Sequence, residues 1–188
     1  MSRLFNTYID NPEIRYWKQM CLQEGELRHF DKGEEFVTAG SVARYVGFIK
    51  CGTLKYVAYG ADGTEHVVGF EFENGFVADF PFSIRGAKSF VSIVADSACE
   101  IYCVPVLTLA ERVRTDTELD HMVANVSELL FIQTYHRYMS LYCKTAQERY
   151  NDLISRHPDL FNLFSLKDIA SFLNVTPTHL SRLRKNIS

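Results

Sequence analysis

The side chains whose types and spacing could do chemistry fall into three groups. The first is a basic, hydroxyl-bearing cluster near the C-terminal end: Thr176, Thr178, His179, Ser181, Arg182, Arg184 and Lys185. Arginine is a two-pronged donor to guanine, and threonine and serine can reach bases or phosphates. Arg184 and Lys185 suit phosphates, which hold register without reading sequence. The second group is a set of acid–base candidates, His66 beside Glu65 and His136 beside Tyr135 and Tyr138. No nucleophile elbow, phosphate loop or metal spacing accompanies them, so catalysis is not expected. The third group is five thiols, Cys21, Cys51, Cys99, Cys103 and Cys143. An odd, scattered set argues against a disulfide framework. Cys99 and Cys103 could share a strand face, but no histidine lies near them at zinc-like spacing. They read as buried reduced thiols, and neither metal nor cofactor is expected.

The first group needs a scaffold, and the surrounding residues describe one. Ser165 can cap a helix, with Asp168 three residues on and Ile169, Ala170, Phe172 and Leu173 as its apolar face. Asn174 falls where that helix ends and tolerates the left-handed conformation. Val175 fills the turn, Thr176 caps the next helix, and Pro177 opens it. Leu180 and Leu183 face inward, which leaves the basic cluster outside. That is the plan of a helix-turn-helix whose second helix fits a major groove. Ahead of it, Thr145 to Glu148 spells a capping box for a helix through Arg156.

Upstream the pattern differs. Short helices are expected up to about Leu27, with Ile14, Trp17 and Cys21 at helical spacing. From there to Val104, apolar runs alternate with turn residues. Strands are expected around Phe36-Val37, Val46–Ile49, Leu54–Tyr59, His66–Phe72, Phe90–Ala95 and Ala98–Val104, with a hairpin turn at Asp62-Gly63. Turns every 8–12 residues are the rhythm of an antiparallel sandwich or barrel. After Pro105 the chain turns helical: Val106–Arg114, then a long helix from Asp116 to about Leu141. Leu119, Met122, Val123, Val126, Leu129 and Leu130 form a broad stripe on it. The stripe either packs on the chain's own sheet or pairs two chains, and its width and length favour dimerisation.

Charge divides in the same place. Residues 1–136 carry 12 Lys/Arg against 19 Asp/Glu, a net −7; residues 137–188 carry 8 against 4, a net +4. A basic end on an acidic body suits a polyanionic partner at that end alone. No run approaches the roughly 18 apolar residues of a membrane span. Met1–Asp10 shows no basic start with an apolar core. The expectation is a cytoplasmic protein with no membrane partner.

The whole chain resembles the Crp/Fnr regulators, of the Bacteroidetes type. The resemblance rests on Gly33, Gly40, Gly52 and Gly75 at turns, on Asp-Ser-Ala-Cys-Glu-Ile at 96–101, on TAQERYNDLISRHPDLF at 145–161 and on IASFLNVTPTHLSRLRK. It implies an α+β chain in three parts. Residues 1–115 would form an antiparallel, jelly-roll-like β-roll (a double-stranded β-helix) with flanking helices, similar to cyclic-nucleotide-binding domains. Residues 116–143 would form the dimerisation helix, and residues 144–188 a winged-helix, helix-turn-helix domain. It further implies double-stranded DNA and a second copy as partners, with RNA polymerase and a small-molecule effector as further ones. A dimer would set its recognition helices about 34 Å apart on a palindromic site.

Two departures qualify it. Cyclic-AMP binders carry a Gly-Glu pair and a later Arg-Ser or Arg-Thr pair; here Gly75 precedes Phe76, and the arginine position falls on Ser89-Phe90. Gly75, Phe76, Arg85, Lys88 and Ser89 are thus the effector candidates, and cyclic AMP is not the expected ligand. In the recognition helix only Arg182 matches the family's base-contacting set, with Pro177 and Thr178 at the other two positions. The target should therefore differ from the family's best-known site. Little room for a wing is seen between Phe161 and Ser165. The alternative is a ligand- or protein-binding module that no longer reads DNA, which three cations on one short helix argue against.

Overall fold

The computed structural model describes residues 6–185. A 3-10 turn (Thr7–Asp10) leads into α1 (Ile14–Glu24), whose Ile14, Trp17, Met20 and Cys21 are buried at spacings of three and four. Eight strands follow: β1 (Glu26–Phe30), β2 (Glu35–Val37), β3 (Tyr45–Cys51), β4 (Leu54–Tyr59), β5 (Glu65–Glu71), β6 (Phe76–Val77), β7 (Ser92–Ala95) and β8 (Cys99–Pro105). They build two four-stranded antiparallel sheets, ordered β1-β8-β3-β6 and β2-β7-β4-β5. Between them lies a core of Ile49, Leu54, Val77, Ile93 and Ile101, all without solvent exposure. Each such side chain contributes about 1.5–3 kcal/mol on burial.

The turns are set by residue type. Gly63 takes φ +79° between β4 and β5, with Asp62 Oδ1 accepting from the Thr64 amide at 3.0 Å. Gly52 combines φ +96° with a backbone approach in which a Cβ would lie 2.6 Å from the Cys99 sulfur. Three details depart from the expected strands. β1, which starts where helix was expected, pairs with β8, and β6, two residues long, pairs with β3; neither was anticipated. β7 starts at Ser92, and Phe90 stands 75% exposed, packed edge-on to Phe82. Cys99 and Cys103 are buried thiols, as expected, and Cys21 is buried as well; burial pushes Cys21 and Cys103 up to about 12, which leaves them protonated.

The helical part begins with α2 (Val106–Thr115) and α3 (Thr117–Cys143). Asp116 caps α3, accepting from the amides of Glu118 (2.9 Å) and Leu119 (3.1 Å). The stripe expected to dimerise is turned toward the chain's own body. Leu119 is buried, and Met122, Val123, Val126, Leu129 and Leu130 are half-buried against the core under α1 and β8. Gln133 continues that face by bonding Asn6 and Thr7. A helix turns about 100° per residue, so another stripe falls on the far side. It consists of Phe131, Tyr135, Tyr138 and Tyr142, exposed and spaced four, three and four apart. Phe131 stacks on Tyr135 and Tyr138 meets Tyr142. The apolar pattern of α3 thus contains two seams, and the one nearer its start is occupied internally.

Four helices complete the described chain: α4 (Ala146–Arg156), α5 (Leu160–Leu163), α6 (Leu166–Phe172) and α7 (Pro177–Lys185). The capping box forms at Thr145, with the Glu148 carboxylate accepting from the Thr145 amide at 2.8 Å. No strand follows β8 among the described residues, so the expected wing is not found there; α5 occupies the short stretch before Ser165. The expected boundary at 144 is no gap in packing. Leu160, Phe164, Ile169, Leu180 and Leu183 share one core with Val67 and Phe70 of β5.

Candidate nucleic-acid interface and candidate effector cavity

The α6–α7 pair is assembled as its residues dictate. Ser165 Oγ accepts from the Asp168 amide at 3.1 Å and donates to the Asp168 carboxylate at 2.6 Å. Asn174 takes φ +54°, the left-handed value expected of it. Thr176 Oγ1 accepts from the His179 amide at 3.1 Å and so caps α7. Ile169, Ala170, Leu173, Leu180 and Leu183 are buried.

This geometry leaves Thr176, Thr178, His179, Arg182, Arg184 and Lys185 exposed on one helix and the turn before it. Two of the seven candidates are committed elsewhere. Ser181 is half-buried and donates to the Pro177 carbonyl at 3.0 Å. The Arg184 guanidinium lies over the Phe161 ring, 4.2 Å from its centre. Arg182 and Lys185 have neither a hydrogen bond nor an ion pair among the described residues. They are cations available to an outside anion.

α6 is fixed to the sheets by polar contacts as well. Lys55 of β4 lies 3.0 Å from Asp168 and 3.4 Å from Asp96. Burial pulls the Lys55 ammonium down, but its bonds and charge contacts with the two carboxylates outweigh that and hold it above its ordinary value. Ser171 Oγ accepts from the Val67 amide at 2.9 Å, and Arg137 of α3 lies over the Phe172 ring. Phe70 packs on Phe164 and Phe172 at 4.1 and 5.1 Å.

The effector candidates are not brought together. Arg85 and Lys88 are exposed, and neither lines a cavity. Ser89 is buried and spends its hydroxyl on the Val91 carbonyl at 2.6 Å. Gly75 is a close-approach glycine, where a Cβ would sit 2.9 Å from a Glu71 carboxylate oxygen. Phe76 alone of the five lines the cavity beneath α3. That cavity, of about 100 Å³, lies between α1, β3, β6 and α3, with walls that include Trp17, Phe76, Phe80, Val126 and Leu130. Its one ionisable wall group besides tyrosines and a thiol is Glu71. Burial pushes that carboxyl up to about 8, although it accepts from Asn6 (2.7 Å) and Tyr8 (3.1 Å). Residue-type reasoning missed Trp17, Glu71 and the inward role of Val126 and Leu130. A single acid between Phe70 and Phe72 in a buried strand was the available signal for Glu71.

Residues 27–116 match the cyclic nucleotide-binding domain family. No characterised protein matches the chain by sequence at a significant level. Solved structures do match in fold. FixK2 from Bradyrhizobium japonicum is 17% identical, with a TM-score of 0.76 over 87% of this chain and 84% of its own. A transcriptional regulator described as of the Crp/Fnr family, from Eubacterium rectale, is 12% identical, with a TM-score of 0.71 over 94% and 86%. The c-di-GMP-responsive global regulator CLP of Xanthomonas campestris is 15% identical, with a TM-score of 0.65 over 92% and 91%.

Proposed function

We propose, starting from a chain whose residues 27–116 are a cyclic nucleotide-binding domain within a Crp/Fnr-like fold, that it is a dimeric, sequence-specific DNA-binding transcription regulator. The observation that carries this reading is α7: a capped helix standing on a buried core, with Arg182 and Lys185 unpaired among the described residues and Thr178 and His179 beside them. Arg182 and Thr178 would read base edges, while Thr176, His179 and Lys185 would hold phosphates. Arg184 and Ser181 support the helix. The three-part organisation into residues 1–115, 116–143 and 144–188 serves this reading as a sensor, a pairing helix and a reader, with the reader seated on β5. Two chains would pair through the Phe131–Tyr142 seam of α3, since the stripe from Leu119 to Leu130 is used within the chain. Bound DNA, a second copy, a small-molecule effector and RNA polymerase are the partners this implies, in the cytoplasm and without catalysis.

Cyclic AMP does not suit the cavity. No Lys, Arg or His lines it to meet a cyclic phosphate, and a buried carboxyl stands in its wall. The test is selection from a genomic duplex-DNA pool by the wild type and by Arg182→Ala at two salt concentrations. Enrichment of a palindrome that Arg182→Ala relaxes at one base, by about 1–3 kcal/mol, sustains the proposal. Identical, unselective binding by both proteins overturns it.

A further inference from the structure

A cleft of about 360 Å³ opens where the last turns of α3 meet α4 and the end of α6, and its charge is unbalanced. Four permanent cations line it, Arg137, Lys144, Arg149 and Arg156, against one carboxylate, Asp152. Lys144 engages that carboxylate. Arg149 is tied to the backbone instead, donating to the Lys144 carbonyl at 2.8 Å and to the Leu173 carbonyl at 3.1 Å. Neutral acceptors orient a guanidinium and leave its charge in place. Arg137 is positioned in a similar way, by the Val68 carbonyl at 2.9 Å and the Phe172 ring. Arg156 is half-buried and has neither a hydrogen bond nor an ion pair among the described residues. It stands close enough to Arg137 to act on it. Burial lowers the Arg137 guanidinium to about 10; Glu71 opposes that, and the charge of Arg156 adds to it. Like charges held at one cleft repel, and a bound anion turns that repulsion into attraction. The wall also has an apolar part, in which Leu153 follows Arg149 by four residues on one face of α4 and Ile132 and Phe172 face it from α3 and α6. The volume falls within the roughly 300–1,000 Å³ of small-molecule sites.

We propose that this cleft binds a small organic phosphate, its phosphoryl group held by Arg156 with Arg137 beside it and its apolar body against Ile132, Leu153 and Phe172. A phosphate monoester carries close to two negative charges at neutral pH and three acceptor oxygens, enough to meet two guanidiniums at once. A monocarboxylate brings one charge and two oxygens to the same pair. Arg149, fixed by its two carbonyls, adds to the positive field without having to move. Because the wall draws on α3, α4 and α6, an occupant ties three helices together. The proposal concerns binding alone and does not rest on the regulator reading.

The experiment titrates the full chain calorimetrically, at constant ionic strength, with phenyl phosphate, with inorganic phosphate and with phenol. The expected result is saturable binding of phenyl phosphate, with inorganic phosphate and phenol each at least about tenfold weaker. Arg156→Gln should weaken phenyl phosphate at least about tenfold. It should nonetheless unfold in urea at a midpoint no lower than the wild type's, because Arg156 has no partner among the described residues to lose and its charge opposes that of Arg137. Arg156→Glu sets an anion of the wall's own beside Arg137 and should abolish binding, so that a failure of either variant to fold leaves the other. Absence of saturable binding in the wild type overturns the proposal. Inorganic phosphate bound as tightly as phenyl phosphate overturns the apolar half of the site, and phenol bound as tightly overturns the anionic half. Binding that a folded Arg156 variant keeps at full strength overturns the placement in this cleft. Displacement of phenyl phosphate by duplex DNA would make the cleft part of a DNA-binding surface and overturn the small-molecule assignment.

Discussion

The contact between Lys55 and Asp168 joins the sheet to α6, and its removal makes the sharpest test of how the two are held. Lys55 Nζ lies 3.0 Å from Asp168 and 3.4 Å from Asp96, and the three side chains are 19%, 13% and 9% exposed. At an effective dielectric of 20, a unit pair at 3 Å attracts by about 5 kcal/mol. Desolvation of three partly buried charges offsets much of that. Lys55→Met keeps the stem and removes the charge, which leaves two carboxylates facing each other. Removing one partner of a fully buried pair costs about 3–5 kcal/mol; with this exposure we expect about 2–3. Asp168→Asn in the Lys55→Met background should restore part of the loss by removing the repulsion with Asp96. The double-mutant cycle should then show a coupling of about 1–2 kcal/mol, read from urea unfolding. The pH dependence has a definite sign. Lys55 titrates above its ordinary 10.5 in the folded chain, so its contribution is complete below that value and is lost as pH rises through the folded one. The gap between wild type and Lys55→Met should hold from neutral pH to about 10 and shrink above it. A coupling under about 0.3 kcal/mol would refute the electrostatic account and leave only stem packing.

Three further outcomes are expected. Glu71 titrates at about 8 against 4.5 for an ordinary glutamate, so its contribution is present below about pH 4.5 and is lost as pH rises to about 8. The wild type should lose stability over that interval, and Glu71→Gln should flatten the slope and be the more stable by about 2–4 kcal/mol at pH 8.5, measured by urea midpoints. Asn174→Gly should be neutral within about 0.5 kcal/mol, whereas Asn174→Val, which cannot hold φ +54° without strain, should cost at least about 1 kcal/mol in thermal unfolding. Tyr135→Lys with Tyr138→Lys should abolish the proposed self-association in sedimentation equilibrium, while Val126→Ala should change stability and leave it intact.

The local rules carried a long way in this chain. Ser165, Thr176, Asn174 and the Thr145 box each occupy the position their backbone chemistry demands, because a cap or a left-handed turn involves only residues three or four apart. The strands from β2 to β5 lie close to the runs that mark them, since alternation and turn residues are also local. The failures share one physical origin. Which stripe of α3 faces inward depends on where α1 and β8 stand, and a 27-residue helix that is apolar on two sides does not encode that choice in its own spacing. Of the effector candidates, placed by analogy around Gly75 and Ser89, Arg85, Lys88 and Ser89 lie on a loop that turns its cations to solvent. The cavity formed instead from α1, the sheets and α3, whose residues are more than a hundred positions apart in the chain.

α3 touches every part of this arrangement. Its inward face closes the cavity through Val126 and Leu130, ties the N-terminal segment through Gln133, and reaches β5 and α6 through Arg137, which donates to the Val68 carbonyl and lies over Phe172. Its outward face carries the aromatic seam over 131–142, the same turns that carry Gln133 and Arg137. A rotation of α3 large enough to turn the aromatic face inward, on the order of 140°, is far too costly. A rotation of a few degrees at the cavity would shift Arg137 against Phe172 and, in the proposed dimer, the aromatic seam against its partner in one movement. A change in packing at the cavity would therefore be felt at α6 without unfolding anything. It requires only that the packing of α3 against α6 have two arrangements of similar free energy, and a ligand with different affinity for each would choose between them.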